Sequence, residues 1–116
     1  METLTFTKIN FDNKTTNDFI ENFYNKNNIE KNSLLNVQLV NEEFLSNILF
    51  PNYDKDADFY ISKEDEGIIL SYSYEGDNYM KQINDRTILS LKLLQSKTKG
   101  ILSKNKGNKT IITFVI

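Results

Sequence analysis

Glu43 and Asn47 stand four residues apart in the stretch SLLNVQLVNEEFLSNILFPNY, residues 33 to 53. On a helix that spacing puts a carboxylate and an amide about one turn apart on the same line. A carboxylate so placed can take the proton of an attacking hydroxyl or water. An amide oxygen can complete the shell of a Mg²⁺ ion whose other ligands are phosphates and waters. The plainer alternative is that the pair forms the solvated border of a helix that buries its other face.

Few other reactive groups are on offer. The chain has no Cys and no His, which excludes disulfides, a thiol nucleophile, an imidazole base and the usual zinc sites. Any catalysis must draw on carboxylates, hydroxyls, amines or a hard cation. A length of 116 residues predicts one domain, spanning 1–116, that buries about two-thirds of its unfolded surface. No apolar run approaches the roughly 18 residues needed to cross a bilayer, and METLTFTKIN lacks a basic region followed by an apolar core. The expectation is a cytoplasmic protein with no membrane partner. A net charge of −2 and a pI near 5.1 argue against nucleic acid as the partner.

Charge is unevenly spread. Residues 1 to 85 hold all 16 acidic residues and seven of the 14 basic ones, for a formal charge of −9. The last 31 residues hold Arg86 and six lysines with no acid, for +7. Either the two segments neutralise each other within the fold, or the basic segment meets phosphates or an acidic partner protein.

Periodicity supplies the elements that must position these residues. TLTFTKI, residues 3 to 9, alternates as a strand, and Phe19, Ile20, Phe23 and Tyr24 fall at helical spacing in a helix from about 16 to 27. Thr15 with Asp18 resembles a capping box for that helix, and Asn32 or Ser33 can cap the next. On the central helix Leu34, Val37, Phe44, Leu45 and Ile48 form one apolar arc, with Glu43 and Asn47 at its edge. Leu35, Leu39 and Leu49 fall on the opposite side, where the first helix is the expected cover. Pro51 stops the helix. Residues 58 to 63 and 68 to 74 then read as a hairpin, about 86 to 97 as a third helix, and GILSK with KTIITFVI around Gly107 as a second hairpin. The order β-α-α-β-β-α-β-β predicts an α+β two-layer sandwich, with helices on one face of a mixed, mostly antiparallel sheet.

The string NEEFLSNILFPNY resembles the N-box helix of the histidine-kinase-type ATPases, the GHKL superfamily, in the form used by their anti-sigma regulatory factor and serine-protein kinase branch. That form carries a doubled Glu, three intervening residues, Asn, two apolar residues and an aromatic-small-Tyr ending. Glu42, Glu43, Asn47, Ile48, Leu49 and Tyr53 are the counterparts. GNKTIITF is similar to the family's last strand, and the element order agrees along nearly the whole chain. The resemblance implies Glu43 as catalytic base, Asn47 as Mg²⁺ ligand, ATP and Mg as cofactors, and a sigma factor or anti-sigma antagonist as regulatory partner, often with a homodimer.

Two further family motifs are altered. The motif D-x-G-x-P-F-x-P corresponds to YEGDNYMK, residues 74 to 81, where Gly76 and Tyr79 match but Tyr74 replaces the adenine-binding Asp and Glu75 is only adjacent. Losing a hydrogen bond to a charged acceptor costs about 1.5 to 3 kcal/mol, or about 10- to 150-fold in affinity. The glycine-rich lid corresponds to INDRTILSL, residues 83 to 91, which has no glycine and offers Arg86 and Thr87 to phosphates instead. Three functions follow as expectations: a regulatory protein that binds a protein partner and has a degenerate nucleotide site, an active ATP/Mg-dependent serine kinase, or a small α+β domain whose similarity is coincidental.

Overall fold

The computed structural model describes residues 2–7, 13–81 and 84–116, apart from the side chains of Asn13 and Arg86. The chain forms β1 (Glu2–Phe6), α1 (Asn13–Lys26), α2 (Leu34–Phe44), β2 (Ala57–Glu64), β3 (Gly67–Glu75), α3 (Asp85–Lys97), β4 (Gly100–Lys106) and β5 (Lys109–Val115). The end of the first predicted strand, Lys8 and Ile9, lies outside the described residues.

Among the described residues five strands make one sheet in the order β1-β2-β3-β5-β4. The expected mixed sheet is corrected to a wholly antiparallel one. The connections explain this. Two tight hairpins join β2 to β3 and β4 to β5, and two helices between β1 and β2 bring the chain back in the opposite direction. The crossover from β3 through α3 to β4 does leave those two strands parallel, but β5 separates them.

Alternation along the strands decides the faces. Phe59 and Ile61, Ile68 through Tyr74 at every second residue, and Ile112 with Phe114 are buried on the side that carries the helices. Above them α2 lies between α1 and α3 and touches β3, so the central helix rests on the central strand. At the β2–β3 turn Gly67 adopts φ +136°, and a Cβ there would collide with the Ile116 carbonyl oxygen.

Several local expectations are corrected. Helix α1 begins at Asn13, so Thr15 sits inside it rather than capping it, and Asp18 pairs with Lys14 at 3.1 Å. Ser33 occupies the cap position of α2 but makes no capping bond, because its hydroxyl is engaged with the Tyr24 hydroxyl at 2.6 Å. After Phe44 the helix widens into a π turn, Leu45–Leu49, in which the Phe50 N–H reaches the Leu45 carbonyl at 3.0 Å. Each residue then advances through a smaller angle than in an α-helix. Leu49, expected opposite the apolar arc, is therefore fully buried. Leu35 is not covered by α1 and remains 67% exposed. No helix among the described residues is long and apolar enough to cross a membrane.

Candidate functional site

The site is organised by three tyrosines near the end of β3. Tyr74 lies on the buried face of that strand and is 2% exposed. The ring of Tyr79, from the 3-10 turn Tyr79–Lys81, stacks on it with centroids 5.6 Å apart and planes 9° apart. Tyr53, just after the π turn, meets it from another side at 5.3 Å. The Tyr74 hydroxyl donates to the Asp77 carbonyl at 2.9 Å, and the Tyr53 hydroxyl donates to the Asp56 carbonyl at 2.7 Å. Burial pushes the Tyr74 phenol well above its ordinary range and raises Tyr53 and Tyr79 as well.

Gly76 makes room for this stack. It adopts φ +138°, and a Cβ at that position would lie 3.2 Å from the Tyr79 hydroxyl. Its N–H donates to the Asn108 carbonyl at 3.0 Å, and its own carbonyl accepts from the Thr110 hydroxyl at 2.6 Å. The loop after β3 is thereby tied to the β4–β5 turn. Glu75 is exposed beside it, opposite Lys109 in the strand register. Glu75 and Gly76 line an open depression of about 470 Å³ with Asp77, Asn78 and residues of the β4–β5 turn. Glu43, Asn47 and Thr87 are not among the residues that line it.

Glu43 and Asn47 are both half-buried, Glu43 near the end of α2 and Asn47 within the π turn. The π turn, which carries Asn47, packs against α3 and against the 3-10 turn of Tyr79. Thr87 is occupied locally. Its N–H donates to Asn84 Oδ1 at 3.0 Å while its hydroxyl accepts from the Asn84 N–H at 2.9 Å, a reciprocal cap at the start of α3. The side chain of Arg86 lies outside the described residues. Glu42, beside Glu43, accepts a hydrogen bond from Asn17 Nδ2 at 2.6 Å and links α1 to α2.

One polar residue of this region escapes a reading for reactive pairs. Asn41 is fully buried on α2 and accepts a hydrogen bond from the Tyr72 hydroxyl at 2.7 Å, while its own amide nitrogen has no partner. Burial pushes the Tyr72 phenol well above its ordinary range. The signal was in the spacing, because Asn41 lies four residues from both Val37 and Leu45 and therefore inside the apolar arc.

Among the described residues, no ion pair links the basic last segment to the acidic rest of the chain. The ion pairs among the described residues join Lys14 to Asp18, Lys26 to Glu2 and Lys31 to Glu21. None of the lysines after residue 86 has a carboxylate partner among the described residues. Exposed apolar side chains stand on both helices and sheet: Leu35 at 67%, Leu89 at 70% and Leu102 at 63%.

No family model and no curated protein matches the chain. Among solved structures it is similar to a chain in the crystal structure of the SiaB–SiaC complex from Pseudomonas aeruginosa, with a TM-score of 0.58 at 12% identity over 96% of this chain and 87% of that one. A similarity at that identity is one of fold.

Proposed function

We propose that this chain is a regulatory protein that acts by binding another protein, built on the histidine-kinase-type ATPase fold with its nucleotide site closed. The observation that carries the reading is the burial of Tyr74. In the family pattern that position holds the carboxylate that meets adenine, and here a ring fills it, clasped by Tyr53 and Tyr79. The residues fit a nucleotide poorly at that end. Thr87 is taken up in capping α3, and the stretch from 83 to 91 has no glycine to let phosphate approach the backbone. The similar fold also occurs in a crystal structure of a complex, that of SiaB with SiaC. A sigma factor or an anti-sigma antagonist is the partner class that this reading names.

Affinity capture of partners from the source cells, run with Mg-ATP and with EDTA, tests it. The expected result is one protein retained equally in both. Retention that depends on Mg-ATP would sink the reading.

A second reading is an ATP/Mg-dependent serine kinase of the anti-sigma type. It is favoured by the packing of the π turn that carries Asn47 against α3 and the 3-10 turn of Tyr79, and by the half-buried Glu43 one turn before Asn47. Here Asn47 would hold Mg²⁺ and Glu43 would take the proton of a partner serine. A Glu43→Ala protein with unchanged phosphotransfer would dispose of that role.

A further inference from the structure

β4 is an edge strand, and among the described residues no other strand covers its outer backbone. Because Ile112 and Phe114 face the helices, the register places Leu102, Lys104 and Lys106 on the opposite face, with Lys104 beside Ile111 and Lys106 directly across from Lys109. Like charges facing each other across a ladder destabilise it. Yet Lys104, Lys106 and Lys109 are exposed and none has a carboxylate partner among the described residues. Lysines on an edge repel a basic strand and, through the cost of desolvating them, disfavour a neutral one. The same three cations, next to an exposed Leu102, attract an acidic one.

We propose that β4 is a docking edge for an acidic, extended segment of another protein. The segment adds to the sheet as a sixth strand, with carboxylates beside Lys104 and Lys106, Lys109 adding to the positive charge behind them, and an apolar side chain against Leu102. This names the partner chemistry for the protein-binding reading above and rests on it.

The test uses the full chain with two synthetic eight-residue peptides, one alternating Glu and Val, the other Lys and Val. Binding is followed by fluorescence anisotropy and by amide hydrogen exchange. The Glu-Val peptide should bind, weaken with added salt, and protect amides of β4 that exchange freely without it. In the K104E/K106E/K109E chain its affinity should fall about tenfold and the Lys-Val peptide should become the better ligand. A K104Q/K106Q/K109Q chain should lose the Glu-Val preference without gaining the other, which separates charge from any effect on folding. Equal binding of both peptides, or protection away from β4, overturns the proposal. So does concentration-dependent protection of β4 without peptide, which would make a second copy the occupant. If the triple variant holds its cellular partner as tightly as the parent chain, the β4 edge fails while the protein-binding reading stands. Phosphate transfer from Mg-ATP would remove that reading whatever the peptides do.

Discussion

Tyr79 lies flat on Tyr74, with ring planes 9° apart, and the glycine at position 76 leaves space for the Tyr79 hydroxyl. The pairing turns a loop that resembles a ligand-binding motif into part of the core. Tyr74→Ala should therefore cost about 3 to 5 kcal/mol, as for other large aromatic truncations in a core. Tyr74→Phe, which loses only the bond to the Asp77 carbonyl, should cost about 1 kcal/mol. Urea unfolding measures both. Equal costs would mean that the hydroxyl, not the ring, holds the loop.

The Tyr72 hydroxyl and Asn41 Oδ1 join the central strand to the central helix at 2.7 Å in the core. Tyr72→Phe should destabilise by about 1 to 3 kcal/mol, since it leaves Asn41 with no partner for either end of its amide. Adding Asn41→Leu should recover much of that loss by removing the stranded group. A double-mutant cycle in urea checks the coupling, and strictly additive costs would show that the pair does not act as one.

Buried phenols tie stability to alkaline pH. Burial raises Tyr72 and Tyr74 above the ordinary phenol value of 10.0, so the folded chain holds these protons more tightly than the unfolded chain does. Their contribution is fully present below about pH 10 and is lost as pH rises above it. Ultraviolet titration should show these two ionising only together with loss of the fold. Free ionisation near pH 10 with the fold intact would contradict their burial.

The π turn makes two leucines unlike. Leu49→Ala should cost about 2 to 5 kcal/mol because its side chain is fully buried, whereas Leu35→Ala, at 67% exposure, should stay within about 0.5 kcal/mol. Thermal or urea unfolding decides. The reverse order would restore the regular helix through residue 49.

How much of this was legible follows from which signals are local. Alternation exposed β2, β3 and the last strand, β5, because every second residue there faces the core and one face is buried. The Glu43 and Asn47 pair was visible because one helical turn is a property of sequence spacing. The widening after Phe44 left no mark of its own, and it moved Leu49 from the far side into the core. Ser33 reads as a cap only until Tyr24, nine residues earlier, claims its hydroxyl. The Tyr53, Tyr74 and Tyr79 cluster depends on three segments meeting, and spacing along the chain does not show which segments meet. That the lysines after residue 86 have no carboxylate partner among the described residues is likewise a matter of placement, since composition alone fitted neutralisation equally well.

Thermal unfolding with and without excess Mg-ATP tests the proposal of a closed nucleotide site most directly. A ligand at 100 times its dissociation constant stabilises by about 2.7 kcal/mol, which for a chain of this length raises the midpoint by about 10 °C. With Tyr74 packed between Tyr53 and Tyr79, the midpoint should not move at millimolar Mg-ATP. A rise of several degrees that disappears in Asn47→Ala would contradict this and put a nucleotide beside the π turn.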